Sequence, residues 1–274
     1  MTGRNSEVHR PWWCEAALAA FLILAVTGSP AAAADDEQAP AQGQAPVAAP
    51  VTSSADFLFG APQAWISIRG SWLFPRAGGD LFTFVSDQLT VDKSDLRSGG
   101  FGADVGAIVR PSIDFVIGFD LNRNETKSEY RDYIASNGQP IAQRNELHQY
   151  GISAGLRYTP RGRGRSVSRY AFVPRRVVPY AGGGVIVGYY SFSQIGQFVD
   201  YVDLSVFNDR FVSDGWSGGP YLQGGADVQV WKHLFLTFDG RYTWMHADLD
   251  SDFTGFEGID LAGFRGGTGI SVVF

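Results

Sequence analysis

The sequence predicts an all-β protein, an eight-stranded antiparallel transmembrane β-barrel with up-and-down meander connections. Three observations predict it. Glycine accounts for 34 of the 274 residues and aromatic residues for 14%, while charged residues fall to 18%, a balance that suits close-packed strands. Apolar residues alternate with small or polar ones in long segments. Short links between these segments alternate with long polar links, as in barrels of bacterial outer membranes.

The start of the chain has the pattern of a secretory signal peptide. Basic residues that include Arg4 and Arg10 precede the apolar run Ala16–Val26, and Ala32–Ala34 supplies a small-residue cleavage site. The apolar run is too short for a membrane-spanning helix, which needs about 20 residues. Cys14 is the only cysteine and lies in this segment, so we expect no disulfide bond in the mature protein.

The segment Asp35–Pro62 is rich in alanine, proline, glutamine and serine, and it shows no periodicity until its end. Such a composition is typical of a disordered or extended linker. We therefore divide the chain into a signal peptide at 1–34, a disordered Ala/Pro-rich linker at 35–62 and an outer-membrane β-barrel at 63–274.

Eight segments of the predicted barrel alternate with a period of two, which separates their side chains onto two faces. The segments are Ala64–Phe74, Gly100–Arg110, a third from Ser112 to Leu121, Tyr150–Tyr158, Pro179–Phe192, a sixth around Ala226–Val230, Leu234–Trp244 and a last one that ends at Phe274. The seventh is the clearest, because Leu236 and Phe238 share one face while Asp239 and Arg241 share the other. The fifth contains too much glycine for its faces to be assigned.

A soluble β-sandwich also alternates, but three features favour a membrane barrel. The polar faces carry glycine, serine, threonine and paired charges and are nearly free of lysine and glutamate, as suits a cramped polar interior. The segments reach the roughly 9–11 residues that a tilted strand needs to cross a bilayer. The long links follow the first, third, fifth and seventh segments. The link between the fourth and fifth segments, about twenty residues rich in arginine and proline, breaks this alternation. Aromatic residues near segment ends are expected to form girdles at the membrane interfaces: Trp72, Phe74, Tyr158, Tyr189, Tyr190, Tyr242 and Trp244.

The signal peptide, the eight segments over Gln63–Phe274 and the terminal Phe274 together resemble small bacterial outer-membrane β-barrels of the OmpA/OmpX type. The resemblance is one of pattern and covers about three quarters of the chain. It implies that Phe274 is the signal read by the barrel-assembly machinery, that both termini are periplasmic, and that outer-membrane lipids surround the protein. No peptidoglycan-binding domain follows the barrel segments, so the two-domain version of the family is not matched.

The inward faces carry five acids and four bases. Eight strands enclose a lumen that side chains can fill, and enclosed charges must be paired. A narrow gated ion path and a plug of ion pairs are both compatible with this set, and the small lumen favours the plug. We expect Arg69 to contact Asp104, and Asp239, Arg241 and Arg265 to share one network. The predicted set is Arg69, Asp104, Asp114, Asp120, Arg157, Asp227, Asp239, Arg241 and Arg265.

Two long links could form the surface that meets a ligand. Leu81–Leu96 has a helical apolar spacing and is predicted to cap the barrel mouth. Ser193–Trp216 alternates acids and aromatic residues, which indicates either a site for a cation, a sugar or a host partner, or a hairpin that packs its aromatic residues over the mouth. The candidate contacts are Phe198, Asp200, Tyr201, Asp203, Phe207, Asp209, Phe211 and Asp214.

Two further motifs are weaker. Asp248–Asp252 resembles the start of a calcium loop, but Phe253 stands where that loop requires glycine, so no metal site is predicted. Arg161–Arg176 holds six arginines that could meet lipid phosphates or peptidoglycan on the periplasmic side, although a solvated turn is the simpler interpretation.

The sequence predicts no catalytic site and no cofactor. Among the histidines of the mature chain, only His246, near Asp248 and Asp250, could act as a base, and no serine stands out as its nucleophile. The net charge of −6 argues against nucleic acid as a partner. We therefore expect a structural or surface-interaction role carried by the loops over a filled interior, with a small passive pore as the alternative and a lipid hydrolase as a more distant one.

Overall fold

The computed structural model describes residues 57–135 and 137–274, so the predicted signal peptide and most of the predicted linker lie outside the described residues. The strands are β1 (Ala64–Pro75), β2 (Ser98–Arg110), β3 (Ile113–Ile134), β4 (Pro140–Tyr158), β5 (Gly164–Ser168), β6 (Ala171–Pro174), β7 (Val177–Val199), β8 (Val206–Gln229), β9 (Leu234–Thr243), β10 (His246–Ala247), β11 (Ile259–Asp260) and β12 (Gly263–Val273). The helix α1 spans Asp80–Gln88, and a 3-10 turn spans Ser251–Phe253.

Eight of these strands form a closed antiparallel ring. Their order is β1-β2-β3-β4-β7-β8-β9-β12, with β12 pairing back onto β1 and β8 pairing with β9. The predicted eight-stranded meander is therefore confirmed. Within the ring, closure gives each strand a hydrogen-bonded neighbour on both sides, which a sheet within lipid requires. Among the described residues, no helix is long and apolar enough to span a membrane.

The outside of the ring is an apolar belt. Its large side chains remain exposed although they belong to well-formed strands, and they include Ile66, Ile68, Trp72, Phe101, Val105, Phe115, Ile117, Phe119, Ile152, Leu156, Val185, Val187, Leu222, Leu236, Phe238, Phe264, Ile270 and Val272. Soluble monomers rarely expose a contiguous apolar patch larger than a few hundred Å². A belt that surrounds the whole ring is instead suited to acyl chains.

Replacing Ile270 with arginine should lower the free energy of unfolding by about 2–4 kcal/mol, the cost of a cation near the bilayer midplane. Ile270 is 53% exposed and lies between Ile68 of β1 and Leu236 of β9. Urea unfolding of protein refolded into lipid vesicles measures the change. The control is Ile134→Arg, which makes the same substitution at the exposed end of β3, beyond the belt. Equal effects of the two substitutions would mean that lipid does not surround Ile270.

The two ends of the barrel differ. The turn end carries the links Pro111–Ser112, 159–176 and 230–233, together with residues 57–63 and Phe274. The loop end carries the links 76–97, 135–139, 200–205 and 244–262. Four strands that reach the loop end are much longer than predicted, with 22 residues in β3, 19 in β4, 23 in β7 and 24 in β8.

Ser193–Trp216 is not an irregular loop, because β7 and β8 stay paired as far as Val199 and Val206. It forms the hairpin that was one of the two alternatives the sequence left open. At about 3.3 Å per residue, β8 measures roughly 80 Å along the strand, far more than the crossing requires. Beyond the belt the outward face no longer needs to be apolar. The alternation that identifies the crossing segments in the sequence consequently fades there while the hydrogen-bonded ladder continues.

A second hydrophobic core closes the loop end. The predicted helix is confirmed as α1, which buries Leu81, Phe82 and Val85. These side chains belong to one cluster with residues of the 244–262 link and of the inner face of β7. The cluster comprises Ala77, Leu81, Phe82, Val85, Leu89, Val91, Leu96, Tyr190, Phe192, Ala247, Phe253, Ile259 and Leu261. Tyr190 is thus buried inside rather than in the girdle, which corrects its predicted position.

Inward-facing glycines explain much of the unusual glycine content. A Cβ at Gly106 would lie 2.1 Å from the indole of Trp65, and one at Gly102 would lie 2.9 Å from the guanidinium carbon of Arg69. Both distances are far below van der Waals contact. The narrow ring can therefore hold large inward side chains only because residues opposite them have no side chain of their own.

Residues that precede the predicted barrel boundary are already part of the fold. Leu58, at the end of the segment assigned to the linker, is buried and forms an antiparallel bridge with Phe172 of β6. Phe59 stacks on Tyr170, with ring centroids 5.6 Å apart. The last residues before Gln63 are thus fastened to the hairpin β5–β6 at the turn end.

Candidate functional site in the barrel interior

All nine charged residues that the sequence placed inside the barrel point into its interior, where they form two layers. The central layer contains three carboxylates and three guanidinium groups: Asp104, Asp120, Asp239, Arg69, Arg241 and Arg265. These residues come from strands that are neighbours or lie opposite one another in the ring.

Asp120 is the hub of the central layer. Its carboxylate accepts hydrogen bonds from Arg69 Nη2 at 2.5 Å and from Arg241 Nη1 at 2.7 Å, and Arg265 Nη1 lies 3.0 Å away. Asp120 is almost completely buried. One buried carboxylate that serves three cations ties β1, β3, β9 and β12 together across the lumen.

The other two carboxylates complete this layer. Asp104 forms an ion pair with Arg69 and lies 3.6 Å from Arg241 Nη2. Asp239 lies 3.9 Å from Arg69 Nε. The structure thus brings Arg69 against Asp104, and it joins Asp239, Arg241 and Arg265 through Arg69 and Asp120, in the arrangement that the sequence led us to expect.

The second layer lies near the turn end and contains Asp114, Asp227 and Arg157. Arg157 pairs with Asp227, which also accepts a hydrogen bond from Thr237 Oγ1 at 3.0 Å. Asp114 accepts a hydrogen bond from the indole Nε1 of Trp65 at 3.1 Å. The guanidinium of Arg157 lies 3.4 Å from the ring centroid of Tyr180 and 4.7 Å from that of Trp65, a cation–π arrangement that fills the remaining space.

Sequence reasoning missed one member of this layer, Arg163. It belongs to the arginine-rich link between β4 and β7, which the simpler interpretation treated as a solvated turn. Its side chain is instead buried, with Nη2 2.5 Å from Asp114 and Nη1 3.4 Å from Asp227. No local pattern distinguishes Arg163 from its neighbours, but the predicted excess of one acid in the interior was a signal that a base had to come from elsewhere.

With Arg163 included, the interior holds five acids and five bases. The central layer has three of each and the turn-end layer has two of each. Buried charges in such a set neutralise one another. One unpaired buried ion would instead destabilise the folded protein by roughly several kcal/mol, because its desolvation would not be compensated. The arrangement can hold the ring rigidly together and occupy its lumen.

The eight candidate surface contacts do not converge on one site. Phe198, Phe207 and Phe211 pack together on the inner face of the β7–β8 hairpin, with Phe198 and Phe211 centroids 4.6 Å apart. Three of the acids receive backbone hydrogen bonds close by in sequence: Asp200 from Val202, Asp203 from Ser205 and Asp209 from Arg210. Asp214 accepts a hydrogen bond from the Tyr189 hydroxyl at 2.5 Å.

Tyr201 and Asp203 are exposed at the hairpin tip, and Phe207, Asp209 and Asp214 are exposed further along β8. The Ser205 hydrogen bonds hold the pKa of Asp203 below its usual value. Partial burial raises the pKa of Tyr201 to about 12, and electrostatic repulsion from Tyr130 is a smaller cause in the same direction. At neutral pH the tip therefore presents an ionised carboxylate beside a neutral phenol.

The acids at 248–252 have a structural role. Asp252 Oδ2 accepts a hydrogen bond from the amide of Val212 at 3.1 Å, and Asp250 Oδ2 accepts one from the amide of Asp214 at 3.0 Å. Both amides lie on the edge of β8 above the ring, so the carboxylates cap a strand edge that would otherwise be free. Within the described ranges, no group of three or more metal-ligating side chains is present.

His246 does not form a catalytic pair in this arrangement. Ser217 Oγ donates to the main-chain carbonyl of His246 at 2.7 Å rather than to its imidazole. His246 itself pairs through the backbone with Gly218 and Asp260. That the chain is not an enzyme remains a prediction from its sequence.

No protein-family model and no curated protein matches the chain. Among solved structures, Neisserial surface protein A is 13% identical to this chain. The alignment covers 77% of this chain and 97% of that protein, with a TM-score of 0.42. The outer membrane protein OprG from Pseudomonas aeruginosa is 13% identical, covering 79% and 99%, with a TM-score of 0.46. Ail of Yersinia pestis is 12% identical, covering 79% and 100%, with a TM-score of 0.37. Similarities this low transfer no function.

Proposed function

We propose that the chain is an outer-membrane barrel with a filled lumen, and that its role is structural or lies in surface interactions made by the loop end. The observation that carries the proposal is the pair of charged layers inside an apolar belt. The belt requires acyl chains on the outside, while the paired arginines and aspartates occupy the space through which a solute would pass.

The orientation follows from the two ends. Outer-membrane barrels have short periplasmic links and longer extracellular ones. The turn end has two short links and one long one, 159–176, whereas every connection at the loop end is long once the extended hairpins β3–β4 and β7–β8 are included. By that rule the turn end is periplasmic and the loop end extracellular. Assembly from the periplasmic side, guided by the signal peptide and by Phe274 as the signal for the barrel-assembly machinery, is part of the same proposal.

The loop end has the character of an interaction surface. Its segments 76–97, 122–149, 191–215 and 244–262 contain seventeen acids and eight bases. Several apolar residues at the tips of the long hairpins are exposed, including Ile134, Tyr201, Val202 and Leu204. A surface ligand of this end would therefore be cationic or basic and would meet apolar side chains at the tips.

The structure offers less support for a passive pore. A solute would have to pass the loop-end cluster, the hub at Asp120 and the pair of arginines at Asp114 and Asp227. Each passage requires paired charges to separate in an enclosed space, which is unfavourable.

Purified protein in planar lipid bilayers should give no steady single-channel openings, because three successive barriers occupy the lumen. Liposome swelling with small sugars should likewise match that of protein-free vesicles. Loop-deleted protein lacking residues 80–95 is the informative control, since both charged layers remain and we expect it to stay closed. Steady openings of the wild type that grow in Arg241→Ala would contradict the proposal and establish the pore.

A further inference from the structure

Charge is partitioned along the barrel axis. The turn-end segments 57–63, 109–112, 159–176 and 230–233 contain no aspartate or glutamate. Apart from the inward Arg163, they carry seven bases: Arg110, Arg161, Arg165, Arg169, Arg175, Arg176 and Lys232. The loop end carries the opposite excess. The seven bases form a collar, which we call the basic collar, around the end where the proposed function places the periplasm.

The basic collar is exposed and held in a fixed position. All seven side chains are exposed, and within the described part of the chain none of them takes part in an ion pair. The link that carries five of them folds as the hairpin β5–β6. Arg163 anchors one side of this hairpin in the lumen, and the Leu58–Phe172 bridge anchors the other.

Apolar and aromatic side chains accompany the basic collar. Trp231 is 71% exposed beside Lys232, Phe59 is 82% exposed, and Tyr170 stacks on Phe59. Aromatic residues of this kind prefer the boundary between acyl chains and headgroups. Their exposure next to arginines indicates that the collar lies at the membrane interface rather than in bulk water.

A pocket of about 340 Å³ lies where the barrel wall meets the hairpin. Arg110 and Ser166 contribute polar groups to it, while Val109 and Phe172 contribute apolar ones. Val109 belongs to the outward belt and is 65% exposed. The pocket therefore joins the acyl-chain surface to the basic collar, so a lipid phosphate at Arg110 could keep its own chain against Val109.

We propose that the basic collar binds the phosphodiester headgroups of anionic phospholipids in the leaflet at the turn end, which rests on the proposed orientation of the barrel. Guanidinium groups bind phosphate oxygens with paired hydrogen bonds. Clusters of four to eight arginines and lysines beside a membrane are typical of anionic-lipid recognition. Peptidoglycan carboxylates would also pair with arginine, but they would leave the exposed Trp231, Phe59 and Val109 without a partner.

The test compares lipid selectivity in vesicles. Refolded protein is inserted into phosphatidylcholine bilayers that contain trace spin-labelled phosphatidylglycerol or spin-labelled phosphatidylcholine, and electron spin resonance gives the fraction of each label at the protein surface. We expect the wild type to prefer phosphatidylglycerol, and Arg165→Gln/Arg169→Gln/Arg175→Gln/Arg176→Gln to lose most of that preference. Added salt should weaken the preference of the wild type.

The matched control removes four exposed bases from the loop end: Lys93→Gln, Arg123→Gln, Lys127→Gln and Arg210→Gln. It should keep the full preference. Equal preference for both lipids in the wild type, or an undiminished preference in the collar variant, would overturn the proposal. The proposal would also be overturned if the wild type showed no lipid preference but bound soluble peptidoglycan fragments, and the collar variant lost that binding. Protease protection in the same vesicles reports insertion. Failure to insert counts against the membrane barrel and overturns both proposals, whereas an inserted protein with no lipid preference overturns only the collar proposal.

Discussion

Replacing Asp120 with alanine should lower the free energy of unfolding by about 3–5 kcal/mol, the usual consequence of removing one partner of a buried ion pair. The carboxylate contacts Arg69, Arg241 and Arg265. Without it, three enclosed guanidinium groups share only Asp104 and Asp239. Their mutual repulsion is then poorly compensated. Urea unfolding of protein refolded in vesicles, followed by tryptophan fluorescence, gives the change.

Asp132→Ala is the control for Asp120→Ala. It removes the same side chain from the same strand, but at an exposed position of the loop end, where we expect an effect within roughly 0.5 kcal/mol. A loss at Asp120 no larger than that at Asp132 would mean that the central layer does not stabilise the ring. The barrel would then depend on its backbone ladder and lipid contacts alone.

Replacing Arg163 with alanine should have a comparable effect, about 3–5 kcal/mol, and should also release the hairpin β5–β6. Asp114 would keep only the Trp65 indole as a hydrogen-bond donor, and Asp227 would keep Arg157 and Thr237. The hairpin would lose its anchor in the lumen. Trypsin should then cleave within Arg161–Arg176 of detergent-folded protein faster than in the wild type, and gel electrophoresis of the fragments measures the rate.

The matched control for Arg163 is Arg165→Ala, two residues further along the chain in β5 and exposed. It should leave both stability and hairpin protection nearly unchanged. A second comparison uses Asp114→Asn: in that background Arg163→Ala should cost less, because the buried charge that Arg163 compensates is gone. If Arg163→Ala and Arg165→Ala behaved alike, the turn-end layer would not be held by Arg163.

The sequence and the structure agree most closely where alternation has a direct physical cause. In a ring strand, a residue such as Ile270 must face lipid and a residue such as Arg241 must face the lumen. A period of two therefore identifies both the strands and the faces on which their side chains lie. Long strands beyond the membrane do not have that constraint, which is why β7 and β8 were expected to end early.

The glycine-rich fifth segment shows a different limit. Its glycines leave too few side chains to define two faces, so the girdle position predicted for Tyr190 was wrong. In the structure Tyr190 faces inward, and its hydroxyl lies 3.0 Å from Ser213 Oγ and donates to the main-chain oxygen of Asp248 at 2.5 Å. These partners come from β8 and from the 244–262 link, and neither is apparent from the local pattern.

The sequence by itself determined the number of crossing strands, their apolar belt and the inward set of charges, because strand geometry turns local alternation directly into two faces. Only the tertiary structure decided that Arg163 enters the lumen, that side chains of β7 and of the 244–262 link join the predicted helix in one cluster, and that Arg110 and Lys232 join the arginine-rich link in one collar. These features join segments far apart in the chain. Their positions depend on which side chains meet across the closed ring, and no single stretch of sequence encodes that.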